Sequence, residues 1–252
     1  MNMPFTDEDF INILEYCKNM DNFNEDSKIC YDNIVNVSDS LIKDSRFYLF
    51  NFDNICENIF TKPNGKVGNL PASTDGLDYI IGRKNNIIYF IEFKDFPVKS
   101  VDYEKELKSI RKSLYEKHCY CQQDFCPITH HSLESMKNIS ENFEDERICK
   151  LKLKTTESLF FVMPKLFDHY KKNNPDFDKT HEEFIDWLLK SEKHFIIVFA
   201  DNNDNIPNRQ SSFKNKLESK YKHFRNVANI KTSIVEKTEF ENNFMYKFYH
   251  KT

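Results

Sequence analysis

Apolar and polar residues alternate along the chain with two distinct periods. Phe10, Ile11, Ile13, Leu14 and Cys17 follow Thr6 and an Asp-Glu-Asp run, the pattern of a capped amphipathic helix. Phe52, Ile55, Cys56, Ile59 and Phe60 keep spacings of three and four. They predict a second helix that stops near Thr61, before Lys62-Pro63-Asn64-Gly65. Leu77–Ile81 and Ile87–Phe93 are rich in β-formers and flank Gly-Arg-Lys-Asn-Asn, which predicts a hairpin. After Pro97, Leu107, Ile110, Leu114, Cys121 and Phe125 lie on one helical stripe. Ser158–Met163 and Phe195–Ala200 are short apolar runs between breakers and read as buried strands, with a helix over Glu182–Leu189 between them. Lys214–Phe224 reads as a basic helix and Ile230–Val235 as a last strand, while residues 21–45 show no clear period. The sum predicts an α/β domain over residues 1–252, a mixed β-sheet flanked by helices, with a helical N-terminal segment (1–45) packed on it.

Composition narrows this picture. The chain has 252 residues, and 39% of them are apolar, enough for a sizeable core and too many for wholesale disorder. No apolar run approaches the roughly 20 residues of a membrane span. The acidic start, MNMPFTDEDF, lacks the basic and apolar regions of an export signal. With seven cysteines, an odd number, the expected home is a reducing cytoplasm rather than a disulfide framework. Net charge is −4, which argues against holding nucleic acid by bulk charge. The charge is uneven, however: −8 over residues 1–60, +3 over 61–120, −4 over 121–210 and +5 over 211–252. Two basic segments could build one positive face, or merely solvate helices.

The hairpin holds the chemistry. Pairing Asp78 with Glu92 puts Arg83 opposite Ile87 and leaves Lys84-Asn85-Asn86 as a three-residue loop whose last Asn tolerates a left-handed conformation. Asp78, Ile80, Ile88, Phe90, Glu92 and Lys94 then share one face, and Tyr79, Ile81, Ile87, Tyr89, Ile91 and Phe93 the other. Both faces are mostly apolar, as in central strands covered on both sides. Opposed Asp and Glu have Cβ atoms roughly 5 Å apart and repel each other unless a cation sits between them. Mg²⁺, which binds oxygens at roughly 2 Å and keeps several waters, suits that gap. Lys94 follows roughly 7 Å along the same face, placed to orient a water.

Leu77-Asp78-Tyr79-Ile80-Ile81 and Ile91-Glu92-Phe93-Lys94, with thirteen residues between Asp78 and Glu92, resemble the signature of the PD-(D/E)XK nuclease superfamily, with its restriction-endonuclease-like fold. The helices expected before and after the hairpin resemble its αβββαβ core. The resemblance implies a metal-dependent nuclease cutting phosphodiester bonds, in DNA in preference to RNA, with Mg²⁺ or Mn²⁺ held by Asp78, Glu92 and the Phe93 carbonyl. It places Lys94 beside the attacking water, offers Glu57 as a further acidic ligand from the preceding helix, and allows a homodimer. It also implies Lys108 and Arg111, on the helix after the hairpin, as contacts to the scissile phosphate. The family's Pro is absent, Leu77 standing before Asp78, and Asp75 in Ser-Thr-Asp-Gly is a rival ligand, although Gly76 after it suggests a turn. Glu-x-Lys recurs at Glu106 and Glu218, but only Glu92 lies on an apolar strand with a partnered Asp. The alternative function is a catalytically inactive scaffold or nucleic-acid-binding module with the same fold.

Lys220, Lys222 and Arg225, interleaved with Tyr221 and Phe224, are candidate contacts to a phosphate backbone. His118, Cys119, Cys121, Cys126, His130 and His131 form a dense cluster of soft ligands, but Cys-x-Cys-x₄-Cys matches no standard zinc spacing. Cys121 falls on the apolar stripe with Leu114 and Phe125, and Cys56 on that of Phe52 and Ile59, where a thiol acts as a small hydrophobe.

Overall fold

A computed structural model describes residues 4–18, 31–32, 47–61, 70–82, 86–97, 148–200, 215, 217–222 and 228–249. Helix α1 (Asp7–Lys18) begins where expected. Thr6 Oγ1 accepts a hydrogen bond from Asp9 N, and Asp9 Oδ2 accepts one from Thr6 N at 2.7 Å, a reciprocal cap. Helix α2 (Phe52–Phe60) starts at Asn51, whose side chain accepts from Asn54 N, and ends at Thr61. Helix α3 covers residues 148–173 and contains a π-turn, Ser158–Val162, before its last segment, Met163–Asn173. Helix α4 (His181–Lys190) opens with a capping box between Thr180 and Glu183. Helix α5 (Lys237–Asn243) and a 3₁₀ turn, Met245–Phe248, complete the described helices with residues 217–222.

The strands are β1 (Tyr31–Asp32), β2 (Leu49–Asn51), β3 (Gly76–Ile80), β4 (Ile87–Pro97), β5 (Glu192–Ala200) and β6 (Ile230–Glu236). They form one six-stranded sheet in sequence order. Pairing is antiparallel from β1 to β4 and parallel from β4 to β6, so the sheet is mixed. Side-chain alternation divides its core into two layers. On one face Leu77, Ile88, Phe90, Phe195, Ile197 and Phe199 pack against α1 to α4. On the other, Tyr89, Ile91, Ile196 and Val198 meet Phe240, Met245 and Phe248. Helices thus cover both faces.

Three expectations change. Ser158–Met163 is helical, not a strand: Leu159, Val162, Met163, Leu166 and Phe167 are buried at helical spacing while Phe160 and Phe161 are exposed. A six-residue apolar run has no period long enough to separate the two forms. The N-terminal segment contributes strand β1 as well as α1. Most consequential is the hairpin register: Asp78 pairs with Tyr89, and the closing pair is Ile80 with Ile87. Relative to the expected Asp78–Glu92 pairing this is an odd offset, which turns every β3 side chain to the opposite face. Both faces are apolar, so hydrophobic pattern alone did not select the register. Two contacts do. A Cβ at Gly76 would lie 2.6 Å from Leu49 Cδ1, so glycine lets β3 close against β2, and Phe93 N donates to Asp75 Oδ2 at 2.6 Å.

Candidate active site

Because β3 runs antiparallel to β4, the residues just ahead of β3 lie beside the middle of β4. On the face of β4 that α1 to α4 cover, Glu92 and Lys94 join Ile88 and Phe90. Asp75 precedes β3 and meets them there. Its Oδ2 accepts from Phe93 N, and its carbonyl accepts from Phe52 N at 3.1 Å, which ties the start of α2 to the same point. Asp53, in the first turn of α2, accepts a hydrogen bond from Ser73 Oγ close by. Helix α3 supplies the remaining charge. Lys154 Nζ lies 3.2 Å from Asp75 Oδ1 and 2.9 and 3.0 Å from the two oxygens of Glu92. Lys94 also ion-pairs with Glu92.

The π-turn in α3 secures the segment leading to Asp75. Thr74 N donates to Ser158 Oγ at 2.9 Å, and Ala72 N donates to Glu157. A π-turn widens the helix locally and is often found at functional sites. Here Glu157, just before the turn, and Ser158, its first residue, meet alternate backbone amides, Ala72 and Thr74, of the segment ahead of β3.

Burial dominates the electrostatics. Glu92 is fully enclosed, with 0% of its side chain exposed. That burial, with Asp75 beside it, raises its pKa to about 7 against the pull of Lys154 and Lys94. Burial alone would depress Lys154, but Asp75 and Glu92 hold its pKa above the usual lysine value. Desolvation by its neighbours also raises Asp53, though the residue is exposed, and Asp75 adds to the rise, while Ser73, Lys154 and Lys94 oppose it. Two carboxylates and two ammonium groups therefore form a connected network beside the middle of the central strand. Such a network is held at a desolvation cost that only good geometry offsets.

Of the residues expected at the site, Glu92 and Lys94 come together. Asp78 does not join them. It projects to the other face opposite Tyr89, where burial raises its pKa to about 7 despite the Tyr79 amide and Lys18. Asp75, the rival, stands in its place. Asp53 and Glu57, one turn apart on α2, are both exposed, and it is Asp53 that meets Ser73 and feels the charges of Lys154, Asp75 and Lys94. Phe93 turns its N–H toward Asp75, and the N–H and C=O of one strand residue face the same neighbour, so its carbonyl lies on that edge too. Lys220 and Lys222 are exposed on helical residues 217–222, which Leu217 and Tyr221 anchor; Tyr221 stacks on Phe195 and so is core, not a base contact. Cys56 is buried, its thiol pKa pushed up to about 11 by that burial, as expected of a core residue. Lys108, Arg111, Arg225 and the cluster from His118 to His131 lie outside the described residues.

Lys154 was not foreseen. Its partners are 62 and 79 residues away, and no local motif marks it. The signal was the helical period of Leu151, Thr155, Ser158 and Leu159, which places Lys154 at the border of the buried stripe.

Among the described residues no three His, Cys, Asp or Glu side chains gather closely enough to hold a metal. Asp75 and Glu92 converge as a pair, with the Phe93 carbonyl on the same edge. One or two carboxylates, with water completing the shell, are the usual protein donors for Mg²⁺, and hard oxygen donors also suit Mn²⁺. The donor set therefore fits those ions. No described helix is long and apolar enough to cross a membrane. No family model, curated protein or solved structure matches the chain.

Proposed function

We propose that the chain is a metal-dependent nuclease of the restriction-endonuclease-like kind, hydrolysing phosphodiester bonds in nucleic acid, DNA in preference to RNA. The observation that carries this reading is the convergence of Asp75 with Glu92-Phe93-Lys94 on the central strand. With β1, α2 and α4 set aside as additions, the order α1, β2, β3, β4, α3 and β5, with β5 parallel to β4, supports it by following the αβββαβ plan. Helix α2 is an insertion between the first two of those strands. Asp75 takes the part expected of Asp78, and no described residue takes that of Glu57.

Asp75, Glu92 and the Phe93 carbonyl would hold Mg²⁺ or Mn²⁺, which supplies Lewis-acid activation of water and steadies the leaving oxygen. The chain's own residues do the rest. Glu92, enclosed in the protein, keeps its carboxylate in one orientation. Lys94, with a side chain 24% exposed, holds its ammonium on Glu92 from the same face and would offset charge growing on the phosphate oxygens. The exposed Lys220 and Lys222 extend a positive surface for the backbone.

A second reading has its own support: Lys154 and Lys94 already satisfy both carboxylates, as in a catalytically inactive scaffold. One experiment separates the two. Plasmid, single-stranded DNA and RNA are incubated with wild type, Asp75→Asn, Glu92→Gln and Lys94→Ala, in Mg²⁺, Mn²⁺ or EDTA. The nuclease reading expects metal-dependent cleavage that falls at least a hundredfold in each variant, on the order of what one preorganised electrostatic group supplies. Lys94→Ala should keep near-normal metal binding. Undiminished cleavage in these variants, or none in wild type, rejects the assignment.

A further inference from the structure

Lys154 occupies the space between the two carboxylates. Its Nζ is within 2.9–3.2 Å of one Asp75 oxygen and both Glu92 oxygens. A divalent ion bound at roughly 2 Å from those oxygens cannot share that space with an ammonium group, and like charges so close repel strongly. We propose that Lys154 is the resident cation of this site, displaced when a divalent metal binds, and that it thereby sets the metal affinity. The inference rests on the metal-dependent reading above and adds regulation of the same centre: without metal, the lysine keeps two carboxylates paired and the site closed.

The surroundings allow the exchange. Lys154 arises from a helix rather than from the strands that carry its partners, so its side chain can swing without disturbing the β3–β4 register. Its side chain is 24% exposed, which gives it a route to water. The α3 backbone is independently fixed by Ser158 on Thr74 and Glu157 on Ala72, so the departing ammonium does not release the helix. Lys94 stays as the second counter-charge, held by Glu92 from its own strand. Lys154 is therefore a positioning residue, acting on the carboxylates rather than on a substrate.

The test measures Mn²⁺ binding to the full chain, by counting free Mn²⁺ with electron paramagnetic resonance and by titration calorimetry, without nucleic acid. Lys154→Met keeps the stem and removes the charge, and should bind Mn²⁺ at least tenfold more tightly than wild type. Lys154→Arg, which keeps the charge, should bind no more tightly than wild type. Lys154→Met should also melt lower than wild type in EDTA and recover in Mn²⁺. If it does not fold in EDTA, folding restored by Mn²⁺ supports the exchange, and failure to fold in Mn²⁺ overturns it. Equal affinity in wild type and Lys154→Met overturns the resident-cation role while leaving the metal site standing. No binding in either protein overturns both.

Discussion

The hairpin register assigns opposite roles to two nearby aspartates, and Asp78→Asn tests it. Asp78 lies on the far side of the sheet from Glu92, where burial lifts its pKa from an ordinary 3.8 to about 7. At about 1.4 kcal/mol per pKa unit this corresponds to about 4 kcal/mol disfavouring the ionised form. Asp78 retains some solvent access, and screening reduces the figure to about 2 kcal/mol. The folded chain binds this proton more tightly than the unfolded one, so the Asp78 contribution to stability falls as pH rises from about 4 to about 7, then stays level. An asparagine does not ionise, and its side-chain oxygen can still accept from Tyr79 N, as Asp78 Oδ1 does at 2.7 Å. Asp78→Asn should therefore be about 2 kcal/mol more stable than wild type at pH 8, roughly 4–8 °C in Tm, with the gain vanishing near pH 4. Glu92, also raised to about 7, carries the same sign in both proteins and cancels in the difference. Melts from pH 4 to 8.5 in EDTA give that difference, and a repeat in Mn²⁺ gives the metal response. Asp78→Asn should keep the response and the cleavage, and Asp75→Asn should lose both. The reverse result would refute the register argument and return the site to Asp78.

Ser158→Ala strips the Thr74 amide of its buried partner and should lower stability by about 1–3 kcal/mol in urea unfolding; an unchanged midpoint would mean that the π-turn does not secure the approach to Asp75. Replacing Lys220 and Lys222 together by Gln should make the log–log salt dependence of nucleic-acid binding shallower by roughly 1–2. An identical slope would remove residues 217–222 from the contact surface.

Much of the fold was legible because its signals are local. Thr6 with Asp9, Asn51 with Asn54 and Thr180 with Glu183 are caps spanning three residues, and the apolar run Phe195–Ala200 forms most of β5. Glu92 and Lys94 were legible for the same reason, since an acidic and a basic residue two apart on an apolar strand must share its face. What failed was long-range. The register depends on Gly76 meeting Leu49 and on Asp75 meeting the Phe93 amide, and neither leaves a trace in the spacing of hydrophobic residues. Gly76 was read as the mark of a turn, whereas its missing side chain is what lets β3 approach β2.

The position of the site follows from the change of strand direction at β4. Parallel neighbours, β5 and β6, lie on one side. On the other side β3 is antiparallel, so its amino end, where Gly76 pairs with Ile91, carries Asp75 beside Glu92 rather than to the opposite end of the hairpin. Asp78, three residues into β3, is both further from Glu92 and on the wrong face. A carboxylate placed ahead of an antiparallel strand and a Glu-x-Lys on its central partner can therefore meet only when the register makes their parities opposite. Residues 75 and 92 satisfy that condition; residues 78 and 92 do not.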